Sequence, residues 1–175
     1  MHPIIYDVAV SLDGFISGPF GNISKFAHEG QVVDDYFARI GEYTTAIMGR
    51  ATYEFGYRFG LEPGQNPYGH MRTIVFSSGL HCPGEKDIEI ERTTTKEALQ
   101  ELKSNAPGPV YLCGGGSFAG SLLKMNLIDR LRLKRSPIVL GSGVRLFGDT
   151  ECNTQFKCIG TKSYETGHIL EEFQI

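Results

Sequence analysis

Three short segments carry residue types that could act on a ligand, and each follows a stretch with the pattern of a β-strand. Gly114, Gly115 and Gly116 follow the apolar run Pro109 to Cys113 and precede a helical pattern from Ser117 to Met125. Glycine lets a backbone approach a ligand closely, and free N–H groups at a helix start attract phosphate. Ile47 to Glu54 places Gly49, Arg50 and Thr52 just after a second strand. Val75 and Phe76 run into Ser77 and Ser78 after a third. Ligands of open α/β sheets bind beyond the carboxyl ends of the strands, so these three loops could line one crevice.

The chemistry of the set is complementary to a phosphorylated dinucleotide, and to NADPH in particular. Helix-start amides over Gly114 to Ser117 suit a pyrophosphate. Arg50 offers a two-pronged clamp to phosphate. Thr52, Ser77 and Ser78 add neutral donors. An arginine among hydroxyls fits the 2′-phosphate of NADP, where an acid would favour NAD. Singly, each segment has a plainer reading. Arg50 could be a solvated or ion-paired surface residue, and Ser77-Ser78-Gly79 a turn. Thr52 could be an ordinary helix-start residue, and the glycines a tight strand–helix junction. Gly114 to Ala119 also satisfies G-x-G-x-x-A. A Rossmann fingerprint belongs to the first β-α turn, however, and this one comes two-thirds along the chain. No G-x-x-x-x-G-K-[ST] and no Tyr-x-x-x-Lys occurs, which argues against a P-loop NTPase and a short-chain dehydrogenase.

The elements that must hold these loops follow from periodicity. Ile4 to Val10, Thr44 to Met48, Thr73 to Phe76, Ile88 to Arg92 and Pro109 to Cys113 read as strands. Ser11 to Asn22 and Leu61 to Gly69 are rich in turn formers and read as loops. Val33, Tyr36, Phe37 and Ile40 fall at helical spacing and predict one apolar face. Arg50 to Tyr57 predicts a short helix, and Lys96 to Ser104 a longer one with Leu99 and Leu102 inward. Leu127 to Leu133 ends in the alternation of a half-exposed strand, and Pro137 to Gly143 is a turn-rich connector. Gln155 to Ser163 and His168 to Phe173 predict a closing hairpin. The chain therefore reads as α/β, with a mixed, mostly parallel sheet flanked by helices and ending in an antiparallel hairpin.

The totals are those of one globular domain, 1–175. The 175 residues are 41% apolar and 21% charged with a net charge of −3, which favours neither nucleic acid nor an anionic membrane. Cys82, Cys113, Cys152 and Cys158 form no C-x-x-C pair and read as free thiols in a reducing cytoplasm. The histidines are scattered, so no metal site is expected. No leader peptide is seen, and no segment approaches the roughly 18 apolar residues of a membrane span. The chain is expected to be cytoplasmic and complete.

Six motifs taken in order carry a resemblance. They are Ser11-Leu12-Asp13-Gly14-Phe15-Ile16, Met48 to Glu54, Ser77-Ser78, Gly114 to Ser117, Leu127-Ile128-Asp129 and Pro137 to Phe147. On them the chain resembles the dihydrofolate-reductase-like superfamily. Within it, the chain is most similar to the reductase (C-terminal) domain of the bacterial deaminase–reductase of riboflavin biosynthesis. The resemblance implies NADPH held by the loops at Gly49-Arg50-Ala51-Thr52, Ser77-Ser78 and Gly114 to Phe118. It implies hydride transfer to a small heterocyclic substrate of the pyrimidine or pteridine type. The riboflavin step would reduce 5-amino-6-(5-phosphoribosylamino)uracil. A homodimer is implied too, and the closing hairpin is the expected interface. No deaminase signature H-x-E with P-C-x-x-C is present.

The chain also departs from its models. Dihydrofolate reductase polarises its pterin with a carboxylate near the start of its first helix, where this chain has Asp34 and Asp35. Asp35 is taken as the candidate, with a pair of exposed helix acids as the alternative. There is no Trp, and Phe26 is expected in the place of the tryptophan common in the first long loop. Asp13, just past the first strand, could orient substrate or cofactor, or form only an Asp-Gly turn. Lys25, Arg39, Arg58 and Arg72 are the cations available to a substrate phosphate. The first loop could close as a lid. A domain that kept the cofactor loops without catalysis, or dihydrofolate reductase proper, are the alternative functions.

Overall fold

A computed structural model describes residues 1–84 and 86–175. Its strands in chain order are β1 (Ile4–Val10), β2 (Phe15–Ser17), β3 (Thr45–Gly49), β4 (Arg72–Phe76) and β5 (Glu89–Glu91), then β6 (Val110–Gly114), β7 (Arg130–Arg135), β8 (Val144–Arg145), β9 (Lys157–Ser163) and β10 (Ile169–Gln174). The helices are α1 (Gln31–Ile40), α2 (Arg50–Phe55), α3 (Lys96–Asn105) and α4 (Gly116–Lys124). Eight strands form one sheet in the order β5-β4-β3-β6-β1-β7-β10-β9. All pairings from β5 to β7 are parallel, and β10 pairs antiparallel with β7 and β9. The expected mixed sheet and closing hairpin are both present. Among the described residues no helix is long and apolar enough to cross a membrane.

Strand alternation divides the sheet into two unlike faces. Ile4, Tyr6 and Val10 of β1, Val110 and Leu112 of β6, and Leu131 and Leu133 of β7 point to one face. There they pack against Leu99 and Leu102 of α3 and Ala119, Leu122 and Leu123 of α4. The other face holds Ile5, Met48, Val75 and Tyr111, covered by Ile40, Tyr43 and Tyr53. Asp7 also lies on that second face and is buried. Arg39 of α1 grips it through Nε at 2.9 Å and Nη2 at 3.2 Å, and the Tyr43 hydroxyl donates to it at 3.0 Å.

Two reading errors have local causes. Phe37 is 65% exposed, although the helical spacing had placed it inward. The buried stripe of α1 runs through Val32, Val33 and Ile40, with Tyr36 at its centre. Phe37 lies 100° round from Tyr36, at the edge of that stripe, and its ring only leans on Tyr36 at 5.6 Å. The long first loop also contains a strand: β2 pairs with β8 in a separate two-stranded sheet, Phe15 opposite Arg145 and Ser17 opposite Val144. Gly143 makes this approach possible, since its φ is +136° and a Cβ there would strike the Ser17 carbonyl. Segments of two or three residues are too short to show a period.

Asp129, in a motif shared with the resemblance, proves to be an anchor. It accepts the Ile4 N–H at 2.7 Å and the buried Lys103 ammonium at 2.8 Å, fixing where β1 starts. The Asp7–Arg39 pair performs the same service between β1 and α1. Because the Asp7 side chain is fully buried, Asp7→Asn should leave the arginine uncompensated and lower stability by about 3 kcal/mol in urea unfolding. An unchanged midpoint would show that the pair does not hold α1.

Candidate functional site

The three predicted loops meet at one edge of the sheet. β4, β3 and β6 are adjacent and parallel, with Gly49 opposite Phe76 and Met48 opposite Gly114. Their following turns are therefore neighbours. A Cβ on Gly49 would stand 3.2 Å from Phe118 Cβ, and one on Gly115 would stand 2.7 Å from Thr52 Oγ1. One on Gly79 would stand 3.3 Å from Arg50 Nη1. Phe76 and Phe118 stack at 5.1 Å beneath the junction. The turns that carry Gly49, Arg50, Thr52, Ser77, Ser78 and Gly114 to Phe118 thus lie side by side.

The glycines differ in purpose. Gly114 and Gly115 take φ values of +132° and +89°, which side chains rarely adopt. Gly116 is needed for packing, since a Cβ there would strike the Arg145 carbonyl and come within 2.8 Å of Gly148 N. The first internal bond of α4 is Ala119 N–H to the Gly115 carbonyl at 2.9 Å. The N–H groups of Gly116, Ser117 and Phe118 precede it, and no side chain caps them. They form the positive end of the helix dipole at the mouth of the crevice.

Around that end the side chains divide. Arg50 is half exposed and pairs with Glu54 at 3.5 Å, a surface pair that a phosphate could displace. Thr52 is half buried against Gly115, and Ser78 is exposed. Ser77 is committed to its own turn, where its hydroxyl accepts from Gly79 N at 3.2 Å and Leu80 N at 2.9 Å. Arg92 clamps the same turn through the carbonyls of Ser77, Ser78 and Leu80. The donor set fits a nucleotide phosphate: open amides, one loosely held guanidinium and two hydroxyls without a metal-type ligand among them.

Asp13 and Asp35 are both fixed anions. The Asp13 carboxylate accepts the Ser11 hydroxyl at 2.6 Å and the Leu140 and Gly141 N–H groups at 3.1 Å and 2.7 Å. Those bonds hold its carboxyl below the usual carboxylate range and tie the first loop to the connector before β8. Asp35 faces the β9–β10 hairpin. It accepts from Lys162, from Tyr164 at 2.7 Å and from Gln31 at 2.8 Å, in that order of influence, and its carboxyl is held well below the usual range. Asp34 is exposed. Asp35 reaches the sheet only at its outermost strand, through Lys162 of β9.

Of the proposed substrate cations, Arg39 is bound to Asp7, Arg72 to Glu89 and Arg58 to the Phe20 carbonyl. Lys25 is exposed, and Phe26 is buried. The sequence reading missed a polar cluster on the α1 face, near the same edge. Tyr36 and Tyr111 share a hydrogen bond at 2.6 Å, and Tyr68 meets Cys113 Sγ at 3.0 Å. Lys134 Nζ lies 4.6 Å from the centre of the Tyr36 ring. Burial raises Tyr111 and Tyr68 well above the ordinary tyrosine range and pushes the Cys113 thiol up. The available signal was a single acid, Asp7, inside the otherwise uncharged run Ile4 to Val10.

A carboxyl held low contributes its bonds above the ordinary carboxylate pKa of about 3.9 and loses them as pH falls through the folded value. Hydrogen exchange of the Leu140 and Gly141 amides should therefore stay slow from neutral pH to the ordinary carboxylate range. In Asp13→Ala it should rise several-fold at neutral pH. Equal exchange in both proteins would deny the tether.

The RibD C-terminal domain family matches residues 3–170. Bacillus subtilis (strain 168) YyaP is 26% identical over 173 residues, which are 95% of this chain and 91% of that one. A solved Shewanella sp. PV-4 protein, named for riboflavin biosynthesis, superposes with a TM-score of 0.81 at 24% identity, covering 99% and 98% of the two chains. The Thermotoga maritima deaminase/5-amino-6-(5-phosphoribosylamino)uracil reductase gives 0.70 at 18% identity, with 99% of this chain on 56% of that one. Dihydrofolate reductase from Enterococcus faecalis, solved with NADP(H), gives 0.66 at 16% identity over 98% and 95%. At these identities the superpositions establish a dihydrofolate-reductase-like fold, and the family match over nearly the whole sequence makes this chain a member of the RibD C-terminal domain family.

Proposed function

We propose that the protein is an NADPH-dependent reductase acting on a pyrimidine- or pteridine-type heterocycle, with reduction of 5-amino-6-(5-phosphoribosylamino)uracil as the leading candidate reaction. The observation that carries this reading is the convergence of Arg50, Thr52, Ser78 and the uncapped start of α4 on one crevice. Family membership and the named reductases among its structural neighbours support it.

In this proposal the amides of Gly116 to Phe118 take the pyrophosphate, and Arg50 with Ser78 takes the 2′-phosphate. Ser77 contributes by shaping its turn. The bound cofactor supplies a hydride. The protein orients it, excludes water and places charge. Asp13 and Asp35 serve as positioning groups, since both are ionised and fully bonded. A face of α1 made of Val32, Val33, Tyr36 and Ile40 offers no pterin-binding acid, which argues against dihydrofolate reductase proper. A cytoplasmic homodimer completes the proposal. Its contact is the exposed edge strand β9, where Ile159 is 41% exposed.

Titration of the protein with NADPH and with NADH, followed by nucleotide fluorescence, tests the reading. NADPH should bind much more tightly. Arg50→Ala should weaken NADPH about tenfold or more while leaving NADH nearly unchanged, as loss of one charge-assisted phosphate contact would. Equal binding of both nucleotides would remove Arg50 from the site. No binding of either would remove the cofactor.

A further inference from the structure

We propose that Lys134 meets the electronegative atom of the substrate and gives it the proton that completes the reduction. This rests on the reductase reading above and adds the proton donor. Lys134 lies near the carboxyl end of β7, on the α1 face, in register with Ala9 of β1 on one side and Leu170 of β10 on the other. β1 lies between β7 and β6 and pairs parallel with both, so Lys134 and the turn after Gly114 stand toward the same, carboxyl edge of the sheet. Tyr36 of α1 lies over the lysine.

The lysine itself is unusual. It is only 8% exposed, yet its ammonium has no carboxylate or other hydrogen-bond partner among the described residues. The nearest acid, Asp7, is already held by Arg39 and Tyr43. An ammonium largely withdrawn from water costs stability unless it is paired, and a ring face compensates only in part. The groups facing it are Asp7 from β1, Tyr36 and Arg39 from α1, and His168 ahead of β10. Burial lowers its pKa, Asp7 opposes that and Arg39 reinforces it, so the lysine gives up its proton more readily than a free one.

The fitting substrate carries a C=O or C=N bond, either within a flat heterocycle or where an opened sugar joins one. As hydride reaches the carbon, the π pair moves to the heteroatom, which takes a proton from Nζ. The neutral amine regains a proton from water, and the nicotinamide donor is oxidised by two electrons. Nothing else is consumed.

The test uses the whole protein, Lys134→Met, Lys134→Arg, and protein labelled with carbon-13 at the lysine ε-carbon. Lys134 is assigned by its missing signal in K134R. The probes are 5-amino-6-(5-phosphoribosylamino)uracil and dihydrofolate, each added with NADP+. The Lys134 signal should titrate below those of the other lysines, and a probe should move its midpoint upward. K134M should bind NADPH like the wild type and lose about 100-fold or more in turnover. K134R should retain part of it, with the alkaline limb of the pH profile displaced upward. A Lys134 signal that neither probe moves, or wild-type turnover in K134M, overturns the proposal. Failure of the wild type to bind NADPH overturns the reductase reading instead, so the two failures are distinct.

Discussion

Parallel pairing of β4, β3, β6, β1 and β7 is the constraint on which everything else rests. Strands of one polarity can be joined only by crossovers, so the intervening chain must return along a face of the sheet before each new strand. Every carboxyl end then opens at the same edge. Residues 49, 77 and 115 become neighbours for that reason, although more than 25 positions separate each from the next. The glycines follow from the same crowding. Gly49 clears Phe118, Gly115 clears Thr52, and Gly116 clears the backbone at Arg145 and Gly148.

The two faces of the sheet divide the labour. The face under α3 and α4 is apolar and supplies most of the core. The face under α1 carries Asp7, Arg132 and Lys134 among four tyrosines. Arg132 is answered by Glu172 at 2.7 Å, and Asp7 by Arg39. Of these three, only Lys134 has no ionic partner among the described residues, and it lies near the carboxyl end of β7. A fold stabilised on one face can carry such a group on the other.

What the sequence revealed and what it hid have physical causes. Runs rich in β-branched residues, such as Ile4 to Val10, fix strands whatever their neighbours, and a Gly or Ser after such a run marks the turn. The three strand-end loops were legible for that reason. The face a strand residue takes is settled by the helix that covers it. Arg132 therefore reads as the solvent side of the half-exposed strand Leu127 to Leu133, and Lys134, just beyond that run, is buried beneath Tyr36 of α1. Asp13 read as a local turn or a ligand group because its actual partners, Leu140 and Gly141, lie 127 and 128 positions away. Phe37 went wrong by a single step of helical phase.

The most direct test of the proposed cofactor crevice is a backbone amide NMR titration of the protein with NADPH. The amides of Gly115 to Phe118, Arg50 to Thr52 and Ser77 to Gly79 should move together and saturate at one concentration, as a single crevice at the strand ends requires. Shifts confined to the β9–β10 hairpin, or spread without saturation, would contradict it.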